Sequence, residues 1–157
     1  MESRREEQWR DKLPELLLGN SHTSTRLTIK NRGNMATVLI VDDSATMMEG
    51  HKRLLEKQGH TVHWAEDGEQ GVAKAMELIP DIILMDVVMP NMNGFQATRK
   101  ITKNESTKHI PVVIVTSKDQ ETDIMWGKRQ GASDYLIKPA DEEHLKATIE
   151  RLLTETA

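Results

Sequence analysis

The chain contains no cysteine, which excludes a disulfide framework, a thiolate metal site and a cysteine nucleophile. No apolar run approaches the length needed to span a bilayer, and the N-terminus is charged and polar, without the apolar core of a signal peptide. These absences set a cytoplasmic protein with no membrane insertion as the default. A global basic field is missing as well. Residues 1–34 hold seven Lys/Arg against five Asp/Glu, net +2, whereas residues 35–157 hold fourteen against twenty, net −6. The main part of the chain therefore carries no electrostatic footprint for nucleic acid. The short positive segment is mixed in sign, with Trp9 as its aromatic, and makes a weak binding arm. The six His (22, 51, 60, 63, 109, 144) include no pair at metal-ligand helical spacing, so none is read as a ligand. No internal repeat or low-complexity tract is visible.

What is present is 157 residues, enough for one compact domain with a sizeable core plus an appendage. Within residues 1–34, Glu2 to Leu18 could form a helix with Trp9, Leu13, Leu16 and Leu17 roughly on one side, but Pro14 interrupts it. Gly19 to Asn34 is rich in Ser, Thr, Asn and Gly and reads as a linker. The expectation is a flexible or partly helical extension with Met35 as the natural first residue of the domain, 35–157. A partner-docking or localising helix is the alternative.

From Met35 onward, strand and helix patterns alternate. Val38 to Val41 reads as a short buried strand, followed by a helix that Ser44 can cap and in which Met47, Met48, His51, Leu54 and Leu55 recur at helical spacing. Met47-Met48 reads as core filling. Gly59 stops that helix, and Thr61 to Ala65 gives the second strand. Glu69 to Leu78 forms the second helix, with Val72, Ala73, Met76 and Ile79 facing inward and Pro80 beyond its end. Asp81 to Met85, Pro111 to Val115 and Tyr135 to Ile137 supply the remaining strands. Phe95 to Lys103, Asp119 to Gln130 and Glu142 to Leu153 supply the remaining helices. Five strands alternating with five helices argue a doubly wound parallel sheet covered on both faces.

The third strand carries the chemistry. Ile82 to Met85 is apolar throughout, as in a strand buried on both faces, and Asp86 appears where it should end. Alone, that acid reads equally well as a solvated loop residue. Its company argues otherwise: Asp42-Asp43, Thr116-Ser117 and Lys138-Pro139 stand at the carboxyl ends of three other strands. In a parallel sheet those ends share one edge, where open α/β folds bind ligands. Clustered carboxylates repel unless a cation holds them, and an all-oxygen set without His or Cys suits Mg²⁺. An Asp beside such an ion can attack phosphorus, and a Lys and a hydroxyl can bind the transferred phosphoryl oxygens. Helix capping by Asp42 or Asp43 is the bland alternative, but Ser44 already fills that role.

Ile40-Val41-Asp42-Asp43-Ser44, Leu84-Met85-Asp86-Val87-Val88-Met89-Pro90, Asn93-Gly94, Val115-Thr116-Ser117, Gly131-Ala132 and Tyr135-Leu136-Ile137-Lys138-Pro139 together resemble the receiver domain of bacterial two-component response regulators. The resemblance runs in order from residue 36 to about 153. It implies a flavodoxin-like sheet of order 2-1-3-4-5. Within the family, Thr116 to Asp123, Trp126 to Ala132 and Gly94 to Arg99 look like the single-domain regulators of type IV pilus twitching motility. The resemblance implies that Asp86 is the phosphoacceptor. Asp42, Asp43, Asp86 and the backbone carbonyl of Val88 would hold Mg²⁺, and Lys138 would pair with the phosphoryl oxygens. Thr116 and Tyr135 would form the switch, and Lys138–Pro139 would be cis. Val88 and Lys118 correspond to positions that tune acyl-phosphate lifetime and imply moderate or slow self-hydrolysis. Ala140 departs from the pattern, since a larger apolar side chain is usual there.

The implied partners are a chemotaxis-type sensor histidine kinase and a downstream protein target. Trp126 and Ile124, two residues apart on helix four, cannot both face the core squarely. With Tyr135 they form a candidate partner face. Gly127 weakens the same helix by about 1 kcal/mol relative to Ala. Nothing follows the fifth helix that could be a fused output, so the protein is expected to act by contact or as a phosphoryl sink, not as an enzyme. Two other readings share parts of the pattern. A metal-dependent phosphatase with an Asp nucleophile would need a general acid where Val88 stands. A flavin-binding module would need phosphate-cradling loops where Asp42-Asp43 stand.

Overall fold

The computed structural model describes residues 35–156; the expectations for residues 1–34, Trp9 among them, lie outside the described residues. Five parallel strands form one sheet: β1 (Thr37–Val41), β2 (Thr61–Ala65), β3 (Ile82–Met85), β4 (Val112–Thr116) and β5 (Asp134–Ile137). Between and after them come α1 (Ala45–Lys57), α2 (Gly68–Leu78), α3 (Gly94–Lys103), α4 (Glu121–Arg129) and α5 (Glu142–Thr156). The sheet order is β2-β1-β3-β4-β5, as the resemblance implied. β1, β3 and β4 lie inside the sheet and are almost wholly buried, which is why their sequences are continuous aliphatic runs instead of alternating ones.

Side-chain alternation sorts the strands into two cores. Leu39, Val41, Ile83, Met85, Val112 and Ile114 point to one face, with Phe95, Ala97 and Ile101 of α3. Val38, Ile40, Ile82, Leu84, Val113 and Val115 point to the other, with Met48 and Leu55 of α1 and Leu145, Ile149 and Leu152 of α5. Both faces are thus covered, and the loops that leave the strands' carboxyl ends gather along one edge. Ala140 packs against the second core, so the small residue after Lys138-Pro139 is accommodated. The Lys138–Pro139 peptide is cis.

Local signals explain most element ends. Ser44 caps α1 by accepting from the Met47 amide at 3.2 Å. Asp67 caps α2 by accepting from Gln70 at 2.8 Å. Asn93 and Gln96 form a reciprocal capping box at α3. One expectation fails. Of the residues expected to face inward on α2, Ala73, Met76 and Ile79 are exposed, the last two by 43% and 41%, and only Val72 packs partly against the core. The buried residues of α2 are Gly68, Gly71 and Ala75. A Cβ on Gly71 would sit 2.8 Å from Val41 Cγ1, so the helix lies on β1 through its smallest residues. A hydrophobicity pattern cannot register a face made of glycine. Ile79 is moreover the left-handed cap (φ 45°) that ends the helix, so it cannot continue a helical stripe.

Candidate functional site

Strand register brings the polar residues together. Val41 pairs with Met85, so Asp42 and Asp86 leave adjacent strands at the same level. Thr116 closes β4 and pairs with Ile137, which puts Lys138 one residue beyond. Ligand oxygens of Asp42, Asp43 and Asp86 all lie within 4.8 Å of one another. Asp42 and Asp86 are buried and Asp43 is exposed, so the cluster has an open side.

Lys138 Nζ is the cation of this cluster, 2.9 Å from Asp42 Oδ2 and 3.7 Å from Asp86 Oδ2. The other Asp42 oxygen accepts from the Ser44 amide at 2.9 Å. Asp86 Oδ1 accepts from the Val87 amide at 2.8 Å, leaving Oδ2 toward Lys138. Burial pushes the Asp86 carboxyl above its ordinary range; Lys138 opposes this, Asp42 adds to it, and Thr116 and the Val87 amide oppose it. A single lysine does not quench three crowded acids. The donor set is entirely oxygen, which suits a hard divalent cation.

Thr116 is fully buried, and its Oγ1 makes no completed hydrogen bond, although it is near enough to Asp86 to favour the carboxylate. It is one of two such buried side-chain oxygens among the described residues, the other being Thr98 Oγ1 on α3. The Thr116 hydroxyl stands beside the acid cluster, next to Asp86. An oxygen-rich ligand at Asp86 would satisfy it.

Gly94 explains the tight turn after Asp86: a Cβ there would collide with the Asp86 carbonyl oxygen, while the Gly94 amide donates to Val87 O at 2.9 Å. Val88, two residues past Asp86, is 58% exposed and carries no acid. Nothing among the described residues therefore supports the phosphatase reading.

The expected partner-face residues do not share one exposure. Trp126 is 49% exposed, Ile124 is partly buried against the core, and Tyr135 is buried. The Tyr135 hydroxyl donates to the Lys118 carbonyl at 2.9 Å. Burial first, then Asp123, Asp119 and Asp86, push its phenol up to about 12, so it stays a neutral donor. Gly127, expected only to weaken the helix, is buried where a Cβ would meet Ile114 Cδ1 and Tyr135 Cδ2 at 2.9 Å. Its missing side chain lets α4 rest on the tyrosine ring.

Sequence reasoning assigned no site role to four further residues. Met125 (63% exposed) and Ile137 (37%) are exposed apolar residues on α4 and at the end of β5. His51 of α1 has its imidazole pKa lowered by burial first and then by Lys138, against the pull of Asp42. Trp64 of β2 donates its indole N–H to the Asp42 carbonyl at 2.8 Å. Nothing in the strand pattern of Thr61 to Ala65 signals that bond.

The response regulator receiver domain family matches residues 38–150. Protein PilH of Pseudomonas aeruginosa is 60% identical over 119 residues, covering 76% of this chain and 98% of the relative. Response regulator PleD of Caulobacter vibrioides is 42% identical over 121 residues, a stretch that makes up 26% of PleD. Among solved structures, the chemotaxis protein CheY4 of Vibrio cholerae matches with a TM-score of 0.71 at 34% identity, covering 75% of this chain and 98% of that one. These matches coincide with the described sheet and with the acids, threonine and lysine along its carboxyl edge, and the chain belongs to the response regulator receiver domain family.

Proposed function

We propose that Asp86 accepts a phosphoryl group from a sensor histidine kinase of the chemotaxis type, and that the modified domain, residues 35–157, changes its affinity for a protein target in the cytoplasm. The likeness to PilH favours type IV pilus twitching motility, or a related chemotaxis-like pathway, as the setting. The observation that carries the reading is the meeting of Asp42, Asp43 and Asp86 within 4.8 Å, with Lys138 Nζ 3.7 Å from Asp86.

In this reading an Asp86 oxygen attacks phosphorus in line with the bond to the donor imidazole. The oxygen–phosphorus bond forms as the phosphorus–nitrogen bond breaks, and the electron pair leaves on the imidazole. Lys138 holds one phosphoryl oxygen, and the Thr116 hydroxyl, already beside Asp86, donates to another. Asp42, Asp43, Asp86 and the Val88 carbonyl would hold Mg²⁺, which would supply charge neutralisation for the acids and the incoming oxygens. Movement of Thr116 toward the phosphoryl group opens space that Tyr135 follows, and α4, resting on that ring through Gly127, transmits the change. Ile124 and Trp126, over the buried Tyr135 that sets the position of α4, then form the partner face.

Incubation with a small acyl-phosphate donor and Mg²⁺, read by intact mass, tests this. Wild type is expected to gain the roughly 80 Da of a phosphoryl group, and Asp86→Ala none. An unmodified wild-type chain would overturn the reading. With Val88 unable to position a water and Lys118, whose ammonium lies 3.6 Å from Asp123, able to turn toward a phosphoryl group and shield it, self-hydrolysis is expected to be moderate or slow. A half-life of seconds after donor removal would contradict that part.

A further inference from the structure

We propose that Trp64, on a neighbouring strand, is a positioning residue for the divalent-ion site, and that its indole N–H reports whether the site is filled. The inference deepens the proposed function and rests on its metal-binding part. It starts from register: Trp64 lies opposite Ile40 and Ala65 opposite Val41, so β2 runs alongside β1 up to the point where Asp42 begins. Trp64 and Val62 share the face that packs against the α1 and α5 core, which holds the indole beside the β1–α1 turn.

Two bonds from β2 then fix the Asp42 peptide. The Asp42 amide donates to the Ala65 carbonyl at 3.1 Å, and the Asp42 carbonyl accepts from Trp64 Nε1 at 2.8 Å. The second bond restrains the Asp42–Asp43 peptide plane, and with it the direction in which Asp43 leaves the chain. Asp43 is exposed and has no side-chain hydrogen bond given to it by the turn, whereas Asp42 is anchored by Ser44 and Lys138. The acid that closes the cluster on its open side therefore takes its direction from backbone geometry. A tryptophan suits this task because its long, stiff ring crosses from the edge strand while its single donor has one possible direction. Cation binding that pulls on Asp43 must be felt at the Asp42 carbonyl, and hence at the indole proton.

The test uses the full chain and Mg²⁺ or Mn²⁺ as the probe, with no phosphodonor. Three tryptophans give three indole N–H resonances, and the one missing in Trp64→Phe identifies Trp64. On Mg²⁺ addition to wild type that resonance is expected to shift, with the half-saturation measured independently by Mn²⁺ relaxation. Trp64→Phe, which keeps a ring and removes the donor, is expected to bind the ion about three- to tenfold more weakly, as loss of one neutral hydrogen bond implies. Trp64→Gln, which restores a donor without the ring, is expected to recover affinity relative to Phe. Urea unfolding of each variant separates a general loss of stability from a loss of ion affinity. Equal ion affinity in wild type and Trp64→Phe, or equal weakening in Phe and Gln, overturns the positioning role while leaving the ion site intact. Absence of ion binding in wild type, unchanged by Asp43→Asn, overturns the site itself.

Discussion

The two ends of one sheet are finished differently. At the amino ends of the strands, polar groups are matched one to one. The Thr37 amide donates to Asp81 Oδ2 at 2.8 Å, and the Asp81 amide returns to Thr37 O at 2.8 Å. The Ala36 amide donates to His60 Nδ1 at 3.1 Å, and the Thr61 amide to Ala36 O at 2.9 Å. At the carboxyl ends the backbone is equally well paired, with Asp86 N on Val41 O and Lys138 N on Thr116 O. The side chains there are less evenly matched: Lys138 reaches Asp42 and Asp86 but is not paired with Asp43, and the buried Thr116 hydroxyl makes no completed hydrogen bond. The same strands therefore make one edge closed and structural and the other incomplete without a ligand. Incompleteness of that kind costs stability and is retained where function needs it.

The contrast breaks first at Lys138. Lys138→Met removes the cation at the open edge, and phosphorylation by an acyl-phosphate donor is expected to slow about 100-fold, the scale of losing one preorganised oxyanion partner. A rate within threefold of wild type would show that the lysine is only a counter-ion.

A paired substitution sharpens it. Asp81→Ala at the closed edge strips the Thr37 amide of its acceptor and is expected to cost about 1–3 kcal/mol in urea unfolding. Asp86→Asn at the open edge is expected to do the reverse and raise the thermal midpoint by a few degrees at pH 7. The sign follows from the raised Asp86 carboxyl: burial disfavours its ionised form, so its favourable share is present below the ordinary value of 3.8 and is lost as pH rises through the folded value. The gain from Asn should thus fade at low pH, and Mg²⁺ added to wild type at pH 7 should narrow it. Two substitutions that destabilise alike would erase the distinction between the edges.

The smallest effect is at His60. Burial lowers its imidazole pKa, with Glu150 and Asp81 pulling the other way, and Nδ1 is already committed as an acceptor. A depressed imidazole gives its full contribution above the ordinary value of 6.5 and loses it as pH falls below. Urea unfolding at pH 8 and pH 5 should therefore show a smaller drop in His60→Asn, which can accept from Ala36 without titrating. An unchanged drop would assign the acid sensitivity to other groups.

Much of this was legible in the letters. Continuous aliphatic runs gave the buried strands, Ser44, Gly59 and Pro80 marked helix boundaries, and the acids at strand ends pointed to one edge. The inward face of α2 was not legible, because contact through Gly68 and Gly71 is made by atoms that are missing. Nor was Trp64, because a hydrogen bond between a strand side chain and a backbone carbonyl 22 residues away depends on strand register. Tyr135 showed the same limit: an aromatic at a strand end can lie outward for a partner or inward, and only packing against Gly127 fixed it inward.

By itself the sequence determined the alternation of elements, the oxygen-only chemistry of the edge and the family to which the chain belongs. Those properties are local, or are carried by residue type. Tertiary structure alone decided which acid is buried and which is open, how close Lys138 comes to each, and which hydroxyl is left without a partner. Such distances are differences between strands brought together by folding, and no single segment contains them.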